Sequence, residues 1–219
     1  NPLTRGAGER LNQGLTFGKP PRIRIKTMAG FDGLLVSQVL VQVPMPVFCC
    51  DLSPYSPALQ MARQAIDDLR AMDPVPLQSN VKSVYVSPWD SHLRHPGFRP
   101  LSELTLAIGR YVSHAFLSSN LPALNLDLFV KDCWGMIYES SDHTLRHNHY
   151  PAELSCAIYL EAEPDSAPIV FDNGQRIQPL NNLMVMFPGI LNHEVPATSG
   201  RRVVVSMNLF KCAKLPPQA

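Results

Sequence analysis

From Pro122 onward the chain is a series of short strands, and that series limits the fold more than any other feature. Leu124, Leu126 and Leu128 alternate with Asn125 and Asp127, and Val130 continues the same face. Period two is the signature of a half-buried strand. Trp134 to Tyr138, Leu154 to Leu160, Pro168 to Phe171, Gln175 to Pro179 and Leu183 to Phe187 follow as further strands. Arg201 to Phe210 closes the series, with Val203, Val205, Met207 and Leu209 on one face and Val204, Ser206, Asn208 and Phe210 on the other. Short strands separated by turn residues predict a sandwich or barrel-like β core. The 21 prolines, about twice the usual share, suit many turns and oppose a helical bundle.

The first half of the chain supplies helices to flank that core. Ser56-Pro57 opens one, as a hydroxyl cap followed by proline at the first helical position. Leu59, Ala62, Ile66 and Leu69 follow at helical spacing, and Asp73-Pro74 ends it. A second helix carries a stripe of Leu101, Leu104, Ile108, Val112 and Ala115. Between them, Val81 to Val86 reads as one strand with Val84 and Val86 on a common face, and Trp89 to Arg99 as a loop. Leu34 to Phe48 reads as one or two strands, with Pro44 and Pro46 suited to an edge. This stretch is also free to pair with a second subunit, so a homodimer is expected as an option. Residues 1–26 form a polar arm rich in Arg and Lys, expected to be solvated. A single domain over 1–219 is expected, with the arm, supporting elements over 27–122 and a core over 123–212.

A net charge of +1 excludes a strong field toward nucleic acid or membrane, and no nucleic-acid module is visible. Five cysteines without regular spacing do not read as a disulfide framework. Reduced thiols in the cytoplasm are expected, with Cys49-Cys50 buried and structural. No run approaches the roughly 18 apolar residues of a membrane span, and no apolar leader opens the sequence.

The chemistry concentrates in His147-Asn148-His149. Histidines one residue apart on an extended segment point the same way and can reach one metal ion. His193 lies 44 residues beyond His149, and Arg202 nine residues beyond His193. Three imidazoles suit a first-row metal with open positions, and an arginine suits an acidic co-substrate. His92 and His95 sit among Arg, Pro and Gly and read as surface residues, and His114 as a packing or surface residue.

Residues 124 to 210, about 40% of the chain, resemble the catalytic core of the 2-oxoglutarate/Fe(II)-dependent dioxygenases. The resemblance rests on His147-Asn148-His149, on Leu154-Ser155-Cys156-Ala157-Ile158-Tyr159-Leu160, on Phe187-Pro188 before His193, and on Arg202-Val203-Val204-Val205-Ser206-Met207-Asn208. It is narrowest with a bacterial and phage branch carrying His-x-His. It implies a double-stranded β-helix of jelly-roll, cupin-like form, with two N-terminal helices packed outside. It also implies Fe(II) and 2-oxoglutarate as cofactors, and decarboxylation of 2-oxoglutarate coupled to hydroxylation of a small-molecule or peptide substrate. His147 matches the first metal ligand and His193 the distal one. Arg202 and Tyr159 match residues that hold the far carboxylate of 2-oxoglutarate, and Tyr138 is placed to face the same pocket.

The second ligand position departs from the family, since His149 stands where a carboxylate is usual. Three outcomes follow: His149 completes a three-histidine site, Asp142 or Glu153 supplies the third ligand, or the site is degenerate or holds zinc. Two rival functions remain. A cupin-type metalloenzyme would use His147, His149, Glu153 and His193, although Ser141 and Leu160 replace its flanking glycines. A non-catalytic β-sandwich binding module would keep the histidines as remnants.

Overall fold

A computed structural model describes residues 25–27, 37–39, 43–117 and 121–214. The chain divides into two units at Pro44. In the first, β1 (Ile25–Thr27) pairs antiparallel with β2 (Ser37–Val39), Ile25 facing Val39. Most of the polar arm and much of the predicted stretch from Leu34 to Phe48 lie outside the described residues.

The second unit holds eleven strands in two sheets. They are β3 (Phe48–Asp51), β4 (Val81–Lys82), β5 (Tyr85–Val86), β6 (Leu126–Tyr138), β7 (His143–His147) and β8 (Leu154–Ala162). Next come β9 (Ile169–Phe171), β10 (Arg176–Ile177), β11 (Leu183–Pro188), β12 (His193–Val195) and β13 (Arg202–Ala213). The larger sheet runs β3-β11-β8-β13-β6-β5, and the smaller β10-β9-β12-β7-β4. Every strand pair in them is antiparallel. From β6 to β13 the chain passes back and forth between the sheets, which is the winding of a double-stranded β-helix. The expected β core with helices outside is what the chain forms.

The strand β13 lies between β8 and β6 and is buried on both faces through Leu209. Val203, Val205, Met207 and Leu209 join a core with the helices, including Leu59, Ile66, Leu101 and Val112. Val204 joins a second core between the sheets, with Trp134, Tyr138, Tyr159, Phe171 and Phe187. Each fully buried large side chain contributes about 1.5–3 kcal/mol, so one strand ties both layers together.

Helix α1 (Ser56–Met72) turns Leu59, Ala62, Ala65, Ile66 and Leu69 inward. Ser56 is its first helical residue rather than its cap; Tyr55 holds that place and no side chain caps the end. Gly135 on β6 lets the helix in, because a Cβ there would stand 2.4 Å from Ile66 Cγ1. A four-residue helix α2 (Ser91–Arg94) and a 3-10 turn (Pro96–Phe98) occupy the predicted loop. Helix α3 (Arg99–Ala115) buries Leu101, Ser102, Thr105, Gly109, Val112 and Ser113. Its inward face is therefore rotated from the predicted stripe, and Ala115 is exposed.

Other expectations change as well. Val81 to Val86 is two strands, one in each sheet, and Val84 lies exposed in the break between them. The two strands expected over 124–138 are one thirteen-residue strand, β6, with a register break opposite Asn208 and Leu209 that leaves Lys131 as the extra residue. Leu124 belongs to the turn before it and is exposed. Cys49 is exposed on the edge strand β3 and Cys50 is half-buried, rather than both being buried. All five cysteines are free. Among the described residues no helix is long and apolar enough to cross a membrane.

Candidate metal centre

The strands β7 and β12 are neighbours in the smaller sheet, and His147 faces His193 directly across them. His149 lies beyond the end of β7, where its N–H donates to the Gly189 carbonyl at 2.7 Å and its carbonyl accepts from Ala152 at 2.8 Å. A glycine is needed at 189, since a Cβ would meet the Ala152 carbonyl oxygen at 2.4 Å. One ligand nitrogen from each of the three imidazoles lies within 4.8 Å of the others. Ring centroids are 4.4 Å apart for His147 and His193, 4.8 Å for His147 and His149, and 5.2 Å for His149 and His193.

Hydrogen bonds at the outer nitrogens orient two of the rings. The Nδ1–H of His147 donates to the Leu145 carbonyl at 2.8 Å, and that of His193 to the Leu191 carbonyl at 3.0 Å. Each bond selects one tautomer and leaves the Nε2 lone pair for a metal. Burial, followed by the proximity of the other two rings, holds His149 down to about 3. Burial and His147 hold His193 down to about 4, and burial lowers His147. All three rings are therefore neutral near pH 7, the state a metal requires.

A hydrogen-bonded frame surrounds them on the outside. Arg146 holds both oxygens of Asp172, Asn192 Nδ2 donates to Asp172 at 3.0 Å, and Asn148 Nδ2 donates to Asn192 at 2.9 Å. The frame joins the segment of His147 and His149 to that of His193. The sequence places Arg146 and Asn148 beside the motif histidines but gives neither a role, and it singles out neither Asp172 nor Asn192. A visible signal was present: the dipeptide Asn-His occurs at both 148–149 and 192–193.

Inside lies a narrow cavity of roughly 50 Å³, and His147, His149, His193, Tyr138, Tyr159 and Arg202 all line it. Arg202 is 1% exposed. One guanidinium nitrogen donates to the Ala167 carbonyl at 2.6 Å, and the group lies 4.1 Å above the Tyr138 ring. Its Nε–H has no acceptor, nor has the Trp134 indole N–H in the same cavity. Among the described residues no carboxylate pairs with Arg202. The Tyr138 hydroxyl shares a hydrogen bond with Thr144 at 2.7 Å. Burial pushes the Tyr159 hydroxyl up to about 12, with Arg202 opposing the shift. Trp134, Thr144 and Phe187 also line the cavity and were not read as site residues from sequence.

The alternative ligands lie elsewhere. Asp142 accepts from the backbone of Val84 and Glu139, and Glu153 pairs with Lys211 at 2.6 Å. Neither joins the histidine cluster, so the geometry departs from the cupin set. His95 pairs with Asp68 and accepts from the Gly97 N–H, and His114 is exposed on α3. Three neutral nitrogen donors, with buried unmet N–H donors across the same cavity, fit a divalent first-row metal and an oxygen-rich anion.

No family model matches the sequence, and no curated protein matches it. Solved structures match its fold. A prolyl-4-hydroxylase from Pseudomonas putida aligns with 76% of this chain and 92% of its own, at 14% identity and a TM-score of 0.56. The alpha-ketoglutarate-dependent epimerase SnoN of nogalamycin biosynthesis aligns with 79% of this chain and 82% of its own, at 13% identity and a TM-score of 0.58. HygX from Streptomyces hygroscopicus, solved with nickel and 2-oxoglutarate bound, aligns with 76% of this chain and 82% of its own, at 11% identity and a TM-score of 0.53.

The chain has the fold of the 2OG-Fe(II) oxygenases. Within this oxygenase fold the His-x-His motif ends a strand of the smaller sheet, and Arg202 opens a strand of the larger one. The two sheets thus bring three imidazoles and a guanidinium without a carboxylate partner to one cavity.

Proposed function

We propose that the chain is an Fe(II)- and 2-oxoglutarate-dependent oxygenase that hydroxylates a substrate C–H bond. The balanced reaction is R–H + 2-oxoglutarate + O2 → R–OH + succinate + CO2, with one oxygen atom entering the substrate and the other entering succinate. The observation that carries this reading is a buried guanidinium without a carboxylate, in the same cavity as three converging imidazoles. In this reading His147, His149 and His193 hold the metal. When bound, the metal supplies the oxygen chemistry and leaves positions open for the oxo-acid.

The chain's own side chains then orient and enclose. Arg202 pairs with the far carboxylate of 2-oxoglutarate, and the Tyr159 hydroxyl, kept protonated by burial, donates to the same group. Tyr138 supports the guanidinium from below through its ring. Trp134 and Phe187 wall the imidazoles and limit water around them. Residues 123–212 form the catalytic core in this proposal, and helices α1 and α3 support it from outside.

Anaerobic addition of 2-oxoglutarate to the Fe(II)-loaded protein tests the reading. A metal-to-ligand charge-transfer band that requires both components is expected, as is succinate formation once O2 is admitted. Stoichiometric iron with no spectral response to 2-oxoglutarate would sink it.

A further inference from the structure

An open groove of about 390 Å³ lies against the metal centre and shares His147 and His149 with the inner cavity. Trp89, Tyr150, Pro151 and Phe210 give it apolar walls, while Lys131 and Asp132 bring opposite charges to its rim. Neighbouring residues of a regular strand point to opposite faces. Here the bulge at Lys131 breaks that rule and leaves both side chains lining one groove. Bulges beside active sites commonly re-aim a side chain in this way.

Asp132 is held in place from within. Asn208 Nδ2 donates to its carboxylate at 3.0 Å, and the Asn208 oxygen accepts from Ser155 at 2.8 Å. Ser155 and Asn208 are both buried, so a packed polar pair fixes an acidic group on the rim. Among the described residues no Lys or Arg forms an ion pair with Asp132, and none of the carboxylates pairs with Lys131. Lys131 rests 4.5 Å from the centre of the Phe210 ring.

We infer that the substrate of this groove is a free aliphatic α-amino acid, its ammonium on Asp132 and its carboxylate on Lys131. This rests on the oxygenase reading for the chemistry at the metal. Any substrate that covers the rim removes water from two unpaired opposite charges, and an unpaired charge is costly to desolvate. A zwitterion compensates both charges. An interior peptide residue, a sugar or a nucleobase compensates neither. The apolar walls suit an aliphatic side chain, which reaches toward His147 and His149 when the charged end sits on the rim.

The chain has two tryptophans, Trp89 on the groove and Trp134 in the cavity, with ring centroids 4.5 Å apart. Their fluorescence reports occupancy without turnover. The test titrates L-leucine, L-isoleucine and L-proline into the full chain with Mn(II) and 2-oxoglutarate under argon, against N-acetyl-L-leucine methylamide. At least one free amino acid is expected to give a saturable change and to bind at least ten times tighter than the capped amide. Asp132→Asn and Lys131→Gln are each expected to weaken that binding about tenfold or more while leaving the capped amide unaffected. Two variants guard against a folding defect in either one. Equal binding of capped and free forms, no binding by the panel, or no effect of either variant overturns the inference. Binding of 2-oxoglutarate is measured first by calorimetry. Its failure counts against the oxygenase reading alone, and the titration then proceeds on the metal-free chain, where the rim charges still act.

Discussion

His193 stands directly across the sheet from His147, with the two rings 4.4 Å apart and each anchored through Nδ1 to a carbonyl two residues earlier in its own chain segment. The pair is symmetric about the strand interface, and His149 completes it from the turn beyond β7. Two rigid ligands and one turn-borne ligand predict unequal tolerance to substitution.

His193→Ala is expected to remove Mn(II) binding, a larger loss than the roughly 10–100-fold that an outer-shell partner costs. His149→Asp is expected to retain a stoichiometric metal, because a carboxylate there also donates to a divalent ion, whereas His149→Ala weakens it. Calorimetric titration of Mn(II) into each variant checks the order. Loss of metal in His149→Asp equal to that in His149→Ala would remove His149 from the ligand set.

Arg202→Met should act in opposite directions on binding and stability. Loss of a charge-assisted pair weakens 2-oxoglutarate by about 1.5–3 kcal/mol, roughly 10–150-fold. Without the oxo-acid, the wild-type chain buries a guanidinium with an unmet N–H. An apolar side chain of similar size is then neutral or stabilising, by up to about 4 kcal/mol. Calorimetry and thermal melts of the ligand-free protein read the two effects. A variant that melts well below the parent would mean that Arg202 is chiefly structural.

Acid should weaken the metal-free protein before its carboxylates titrate. The folded state holds His149 down to about 3 and His193 to about 4, against an ordinary 6.5. Below 6.5 the unfolded chain therefore takes up protons that the folded chain refuses. The stability these neutral rings permit is complete above 6.5 and is lost progressively as the pH falls toward 4 and below. Thermal melts of metal-free protein between pH 7.5 and 5 should show the decline, and a His149→Asn, His193→Asn double variant should flatten it. An identical slope in the double variant would contradict the assignment.

Gly189→Ala should damage the metal site by displacing a turn it does not itself line. Its Cβ would meet the Ala152 carbonyl oxygen at 2.4 Å, and the Gly189 carbonyl anchors the His149 N–H. Overpacking of this kind costs about 1–3 kcal/mol, and the displaced turn carries the third imidazole. Both a lower Tm and a weaker Mn(II) affinity are expected; a lower Tm with unchanged metal affinity would separate the turn from the site.

The parts legible in the sequence are those where one periodicity decides. Strand alternation identified β13, and the two-residue spacing of His147 and His149 gave their shared direction. The helix α3 was rotated because small residues, not large ones, form its buried face: Ser102, Thr105, Gly109 and Ser113 let it approach the sheet. A Cβ at Gly109 would lie 2.4 Å from Leu209 Cδ2, a contact that hydrophobicity alone does not reveal. The strand β6 looked like two because Lys131-Asp132 interrupts its apolar pattern, yet the interruption is a bulge within one strand. The run from Val81 to Val86 divides between the sheets at the Ser83-Val84 break, a tertiary choice that local alternation does not encode. The outer frame of Arg146, Asn148, Asp172 and Asn192 joins segments twenty or more residues apart, so no local window contains it.

Arg201 and Arg202 are adjacent but stand in opposite circumstances. Arg201 is bound to Glu139 and Glu161, and Glu161 is also bound to Arg63 of α1. Glu139 and Glu161 are thus already neutralised by cations of their own. They neither capture the deeper guanidinium nor repel a doubly negative visitor, so a saturated outer arginine leaves its inner neighbour vacant for a guest.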